Sequence, residues 1–407
     1  MKCMRAWSAA LAILILLTAL VGCRTGRDPW EIPTEALTET ASDAATAADT
    51  AAETVIREDT QAAETAAPET EAAITPEDGA DAARLRAILG GKVQLRFNEN
   101  GEFKIMMLSD LHITDTGLTA AGLKNIRRLV EYENPDLIIL TGDNIADSSI
   151  SDEAELRRVL KRLTDYLEEA GIYWIHVYGN HDVEMQLSLD RQHRVYESYE
   201  HCLSKAGESG LHGLGNYVIP LYGSRGDEVK FLIWALDSGA YLSEEEAELL
   251  FPSGKMSFTG TSSPIYDYIH ADQIEWYVES SKFLQEQNGG ERIPGLMAFH
   301  IPLQETYDAW LNRDGLEWTG QKGGAVGASG YNPGFFEVIR QRGDIRAIVN
   351  GHDHANDYMV NYAGIKLCYT ARVTNSDENL RGTRFFVIRE SNPADVETYM
   401  TYLKDLP

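Results

Sequence analysis

The chain has 407 residues, 63 acidic against 36 basic, and a formal net charge of -27 at neutral pH. That balance excludes nonspecific nucleic-acid binding, which needs the opposite sign of charge. Four cysteines over this length, none in a Cys-x-x-Cys pair, exclude a disulfide framework and a thiolate zinc site.

At the N-terminus, Lys2 and Arg5 precede an apolar run over 6–21. The run is too short and too early for a membrane span and has the layout of a secretory signal peptide over 1–22. Leu20-Val21-Gly22-Cys23 resembles the lipobox of bacterial lipoproteins. That resemblance implies cleavage before Cys23 and a diacylglycerol on its thiol. The protein is then exported and lipid-anchored to the outer face of the bacterial cytoplasmic membrane, at the cell surface. Stable anchoring takes more than one acyl chain, which a diacylglyceryl group supplies. An ordinary signal peptide or an uncleaved anchor is the competing reading. Residues 23–83 then read as a lipidated N-terminus and a disordered acidic tether. From 28 to 81 they are rich in Ala, Thr and Glu, with Arg57 as the single basic residue, and cannot bury enough apolar area to offset ordering.

Composition becomes globular at residue 84, and 84–407 is long enough for one domain with a large core. The apolar run 104–108 ends in Ser109-Asp110-Leu111-His112. Leu118, Leu123, Ile126, Leu129 and Val130 then predict a helix over 118–132, stopped by Pro135. A strand at 137–140 closes in Thr141-Gly142-Asp143-Asn144, and a helix over 151–170 has Ser151 in its cap region. The buried strand 172–177 delivers Tyr178-Gly179-Asn180-His181-Asp182. Alternating strand and helix imply parallel strands with right-handed crossovers, so the polar clusters emerge at one sheet edge, where α/β proteins bind ligands. Downstream come a helix over 191–205, strands at 216–221 and 229–237, and an irregular insertion over 251–269. A helix over 271–287 and a strand at 295–299 follow, the latter ended by His300-Ile301-Pro302. A glycine-rich loop over 306–331 and a helix over 335–340 precede a strand at 345–349 closed by Asn350-Gly351-His352-Asp353-His354. Strand-like runs at 358–362, 365–370, 385–389 and 396–403 complete the chain.

Gathered by strand end, Asp110, His112, Asp143, Asn180, His181, His300, His352 and His354 are carboxylate, imidazole and amide groups only. Such donors suit Zn²⁺, Mn²⁺ or Fe and exclude copper–thiolate and iron–sulfur chemistry. They are too many for one tetrahedral site and about right for two metals sharing a carboxylate. A pair ~3.5–4 Å apart can clamp both oxygens of an in-line phosphoryl displacement.

Asp-x-His, Gly-Asp, Gly-Asn-His-Asp, His and Gly-His-x-His, in that order over about 103–370, resemble the calcineurin-like metallophosphoesterase superfamily. Gly213-Leu214-Gly215-Asn216-Tyr217, Leu236-Asp237-Ser238-Gly239, Asp272-Gln273-Ile274-Glu275-Trp276 and Phe299-His300-Ile301-Pro302 bring the likeness nearest to Dcr2-type phosphoesterases. The resemblance implies an α/β fold, a four-layer αββα sandwich of two mixed sheets flanked by helices. It implies two divalent metal ions, one on Asp110, His112 and His354, the other on Asn180, His300 and His352, bridged by Asp143. A metal-bound hydroxide would be the nucleophile and His181 the acid for the leaving alkoxide. Asp182 and Asp353 would orient imidazoles. Two departures stand out. Ala146 occupies the position where purple acid phosphatases carry a tyrosine, and Tyr369-Thr370-Ala371-Arg372-Val373 lacks the glycine-rich run of the Dcr2-like group. His176 reads as core or support for the site; His193, His201, His212 and His270 read as surface. Tyr266 and Tyr268 are candidates for the cleft wall.

The function these residues favour is hydrolysis of a phosphate ester, a phosphomonoester first and a phosphodiester as the alternative. A catalytically inactive cell-surface binding protein is the rival of another class; it predicts lost ligands, and every proposed ligand is in place.

Overall fold

The computed structural model describes residues 76–252 and 265–407. The expected signal peptide, Cys23 and the tether up to residue 75 lie outside these residues, as does 253–264 of the expected insertion. Helix α1 (Pro76–Leu89) runs across the boundary expected at residue 84, with Leu85, Ile88 and Leu89 packed against the core.

The chain continues through β1 (Leu95–Arg96), β2 (Glu102–Leu108), α2 (Ala120–Glu133), β3 (Leu137–Thr141), α3 (Glu153–Glu169), β4 (Tyr173–Val177) and α4 (Leu189–Glu197). There follow β5 (Tyr217–Tyr222), β6 (Val229–Ala235), α5 (Glu244–Leu250), α6 (Ala271–Gln287), β7 (Gly295–Ala298), α7 (Gln304–Leu311), β8 (Trp318–Thr319), α8 (Phe335–Arg342) and β9 (Ile345–Asn350). Strands β10 (Met359–Tyr362), β11 (Ile365–Tyr369), β12 (Gly382–Arg389) and β13 (Glu397–Tyr402) end the domain.

The strands form a five-stranded sheet, β13-β12-β2-β3-β4, and an eight-stranded sheet, β1-β5-β6-β7-β9-β11-β10-β8. Both are mixed. β2, β3 and β4 pair in parallel, as do β6, β7, β9 and β11, while β12 and β10 pair antiparallel with their neighbours. Side chains alternate across each strand, and in the central strands both faces are buried, which is why they read as unbroken apolar runs. Ile105, Met107, Leu137 and Ile139 face Phe231, Ile233, Leu296 and Val349 between the sheets. On the opposite faces, Met106, Leu108, Ile138 and Leu140 pack on Leu129, Leu156, Leu160 and Val195 of the α2–α4 layer. Leu232, Trp234, Met297 and Ile348 pack on Tyr277, Leu284, Phe335 and Ile339 of α6 and α8. These are the four layers of an αββα sandwich. Among the described residues, no helix is long and apolar enough to cross a membrane.

Several element boundaries differ from expectation for identifiable reasons. The cap of α3 is Asp152, whose carboxylate accepts from Ala154 and Glu155 N–H at 2.9 Å, while Ser151 bonds the Glu155 side chain. The helix expected over 191–205 stops at Glu197. Beyond it the chain runs back beside β4, with Trp174 N donating to His201 O at 3.0 Å and Leu203 N to Trp174 O at 2.8 Å. The segment expected as loop from 306 opens instead in α7, too short to show an apolar period, with Ala309 buried and Trp310 against Tyr358. Helix α5 was not anticipated, although Ser243 and Glu246 form its capping box.

Candidate metal centre

The C-terminal ends of β2, β3, β4, β7 and β9 converge where the two sheets meet. The backbone there is bent hard: Asp110, His112, Asp143 and His352 all lie in the left-handed region, at φ 52°, 45°, 50° and 73°. The bends let the loops knit. Asp110 N donates to Gly142 O at 3.1 Å, His112 N to Asp143 O at 3.0 Å, and His181 N to Asp143 Oδ1 at 2.9 Å. His352 N reaches the Asp110 carboxylate at 3.2 Å across the gap between sheets. The motif glycines are required by crowding: a Cβ on Gly179 would land on the Asp143 carboxylate, and one on Gly351 on the Ser109 hydroxyl beside Asp110.

Two groups of donors result. Asp110, His112, Asp143 and His354 offer ligand atoms within 4.8 Å of one another, and so do Asp143, His300 and His352; Asp143 belongs to both. In the first group His354 Nε2 is 3.2 Å from Asp110 Oδ1, and His112 Nε2 is 3.5 Å from Asp143 Oδ2. In the second, His300 Nε2 is 3.2 Å from Asp143 Oδ2 and 3.3 Å from His352 Nδ1. Nitrogens sharing one cation at ~2.1 Å lie about this far apart. His300 Nδ1 faces Thr141 O at 2.8 Å, which puts the ring's proton on that nitrogen and turns the Nε2 lone pair inward. Buried His112 Nε2 and Asn180 Oδ1 have no hydrogen-bond partner. Unpaired buried polar atoms on the motif residues His112 and Asn180 are what divalent cations would satisfy.

The charges agree. Burial pushes the Asp110 carboxyl up, but His112 and His354 outweigh it and hold it well below the carboxylate range. Asp143 is likewise opposed by burial and pulled far down by His300 and His112. His300, despite burial, is raised to about 10 by Asp143, whereas burial and the charge of His300 push His352 down to about 3. One carboxylate thus holds a proton-seeking and a proton-refusing imidazole side by side, and a cation between them suits both.

His181 stands at the rim. Its ring centroid is 4.9 Å from that of His112 and its Nε2 3.9 Å from Asp143 Oδ2. Its Nδ1 meets Glu184 Oε2 at 2.8 Å, Tyr241 Oη donates to Glu184 Oε1 at 3.0 Å, and Asn180 Nδ2 donates to Tyr241 Oη at 2.8 Å. This chain of bonds fixes the Asn180 amide nitrogen on Tyr241 and leaves its buried oxygen unpaired. Neither Glu184 nor Tyr241 was singled out by sequence; Glu184, three residues after His181, was the findable one.

Asp182 and Asp353 do not orient imidazoles as expected. Asp182 accepts from Gly179 N at 2.8 Å and Ile145 N at 3.0 Å, tying the β3 and β4 loops together; burial and Asp143 raise it to about 7. Asp353 accepts from Tyr369 Oη at 2.5 Å and Gly327 N at 2.9 Å, and burial raises it to about 6. Both carboxylates shape backbone rather than rings.

The remaining histidines also sort by contact. His176 is core, against Ser204, and His193 is buried rather than on the surface. His212 and His270 share Asp267 at 3.1 and 2.8 Å with their rings stacked 3.4 Å apart and 10° from parallel. Nearly parallel planes offer no common point for a ring-plane cation, so this trio is a clasp. It secures the segment carrying Tyr266, whose ring meets His352 edge-on at 4.5 Å, the cleft wall the sequence suggested.

An αββα sandwich whose strand ends gather two donor groups around a shared carboxylate defines a dinuclear metallohydrolase. The family model of the calcineurin-like phosphoesterases matches residues 103–356, and the chain belongs to that family, a phosphoric ester hydrolase dependent on divalent metal ions. Among its relatives, probable inactive purple acid phosphatase 14 of Arabidopsis thaliana is 27% identical over 313 residues, 69% of this chain and 72% of that one. Phosphatase DCR2 of Saccharomyces cerevisiae is 27% identical over 301 residues, 67% of this chain and 47% of that one. A solved dimetal phosphatase from Danio rerio aligns with 73% of this chain and 98% of its own, at 14% identity and TM-score 0.44.

Proposed function

We propose that the protein is a phosphomonoesterase working at the outer face of the membrane. The observation that supports this most is the shared Asp143 flanked by two donor groups, with unpaired buried atoms on His112 and Asn180. On this reading Asp110, His112 and His354 hold one cation, Asn180, His300 and His352 the second, and Asp143 lies between. The cations supply Lewis acidity and an acidified water as nucleophile. The chain's own residues do the rest. Glu184 accepts from His181 Nδ1, which turns Nε2 to the cleft, where the imidazolium form would hand its Nε2 proton to the departing alkoxide. Tyr241 holds both Glu184 and the Asn180 amide, coupling the acid to the donor set. Loss of the purple acid phosphatase tyrosine, with Ala146 in its place, removes the tyrosinate charge-transfer colour.

The relatives named inactive raise the reading of a binding protein with a relic site; against it, six carboxylate and imidazole donors gather in two groups that share Asp143, with His181 beside His112. The test is hydrolysis of p-nitrophenyl phosphate and bis-p-nitrophenyl phosphate by full-length protein reconstituted with Mn²⁺ or Zn²⁺, alongside elemental analysis. Two metal equivalents and a preference for the monoester are expected; no turnover of either ester sinks the enzyme. For the location, Cys23→Ser should abolish detergent-phase partitioning, and unchanged partitioning would remove the lipid anchor.

A further inference from the structure

Arg372 follows β11 on a turn that reaches back over the metal centre. Its guanidinium is half-buried and has no carboxylate partner among the described residues of this acidic protein. Nε donates to Thr374 Oγ1 at 3.0 Å and Nη1 to His354 Nδ1 at 3.4 Å, while Nη2 has no hydrogen-bond partner among the described residues. The buried charges of Asp110 and Asp143 reach it, and burial alone opposes its charge. Its turn is pinned on several sides. Asn375 Nδ2 donates to His354 O at 3.0 Å, Asn375 N to Arg372 O at 3.1 Å, and Asn125 Nδ2 to Val373 O at 3.2 Å.

A half-buried guanidinium on a pinned turn, with no carboxylate partner among the described residues, is a ready partner for an anion entering the cleft. We propose that Arg372 is the specificity-determining residue of the site, binding terminal oxygens of a phosphate monoester dianion and so favouring monoesters over diesters. This rests on the hydrolase reading above and deepens it. A guanidinium presents a planar fork matched to phosphate oxygens. A monoester offers three unesterified oxygens sharing about two charges, a diester two sharing about one, so the fork gains more from the monoester.

The contact with His354 explains how the fork is kept ready. His354 accepts from Arg372 at Nδ1, which places its ring proton at Nε2. Coordination through Nε2 moves the proton to Nδ1, and two donors cannot face each other. A cation held at Nε2 would therefore free Nη1 from this contact, while Thr374 keeps Nε in place.

The experiment uses full-length protein loaded with Mn²⁺ and compares wild type, Arg372→Ala and Arg372→Lys. Kinetics on p-nitrophenyl phosphate and bis-p-nitrophenyl phosphate, calorimetric binding of inorganic phosphate, and metal content are read together. For Arg372→Ala, kcat/KM on the monoester should fall roughly 10²–10³-fold, as for loss of one preorganised donor. The diester should fall about tenfold less steeply or better, phosphate should bind at least about tenfold more weakly, and metal should stay at the wild-type level. Lysine should recover part of the monoester rate, since it restores charge without the fork. Equal losses on both esters, unchanged phosphate affinity, or loss of metal would each overturn the assignment; the last would make Arg372 a support of His354. Should wild type hydrolyse neither ester, the hydrolase reading falls, and phosphate binding to wild type against Arg372→Ala still decides the role of Arg372.

Discussion

Asp143 has two unlike neighbourhoods. On one side His300 is fully buried, its ring locked to Thr141 O, with buried Asn180 beside it and His352 packed under Tyr266. On the other, Asp110 is buried but His112 is partly open and His354 is 39% exposed at its side chain, its ring against His112, Asp110 and Arg372. One half of the centre is built into the sheet junction, the other is hung over the cleft. A closed pocket sets which cation it takes and keeps it, whereas an open one exchanges ions and receives substrate. His181 and the fork of Arg372 both stand on the open side, where the proposed chemistry would take place.

The change that should damage both halves most is Asp143→Asn. Losing the shared carboxylate removes several kcal/mol of charge stabilisation, about 10³–10⁵ in turnover, and metal content should fall below one equivalent. A variant that keeps two equivalents would show that the halves are independent.

His181→Asn comes next, with about 10²–10⁴ in turnover on an alkyl phosphate, a much smaller loss on an aryl phosphate, and metal content unchanged. Metal loss in that variant would move His181 into the donor set and blur the division of the site.

The halves are compared directly by His300→Ala and His354→Ala. Each should lose about one metal equivalent and about 10²–10³ in rate. Added imidazole should rescue only His354→Ala, because only that ring leaves a solvent-connected hole. Rescue of both would show that the closed pocket opens readily.

Chelation should resolve the same asymmetry kinetically. Metal loss into excess EDTA should follow two phases at least about tenfold apart, since release from the closed pocket needs a local opening worth over about 1.4 kcal/mol more. A single phase would remove the distinction.

The mildest probe is steric. Gly179→Ala and Gly351→Ala press a methyl onto Asp143 and onto the Ser109–Asp110 pair respectively. Overpacking of about 1–3 kcal/mol should lower the melting temperature in both. Only Gly179→Ala should slow the tight, slowly released metal.

The layout of this centre was legible because each ligand sits where a buried strand ends. Apolar runs of five or six residues announce such strands, and parallel pairing brings their ends together. The order of motifs therefore pointed to six candidate donors that the fold brings together in two groups sharing Asp143. Tyr241 and Arg372 were not legible beside the centre, since each reaches it from a turn or loop whose position depends on packing between layers; Glu184, three residues after His181, was open to a local reading. Asp182 and Asp353 show the reverse error: adjacency to a ligand histidine suggested ring contacts, but side chains at such bends face backbone amides. The helix over-extended past Glu197 shows that helical composition does not outweigh an open edge of β4.

The left-handed backbone at Asp110, His112, Asp143 and His352 has a bearing on evolutionary drift. Each such residue costs about 1–3 kcal/mol relative to a relaxed conformation, and glycine or asparagine would ease it in a single substitution. In a lineage that had ceased to use this site, random substitution would run downhill toward those residues, gaining stability at every step. The four positions therefore set a trade: glycine or asparagine at any of them should raise stability while removing a donor from the centre.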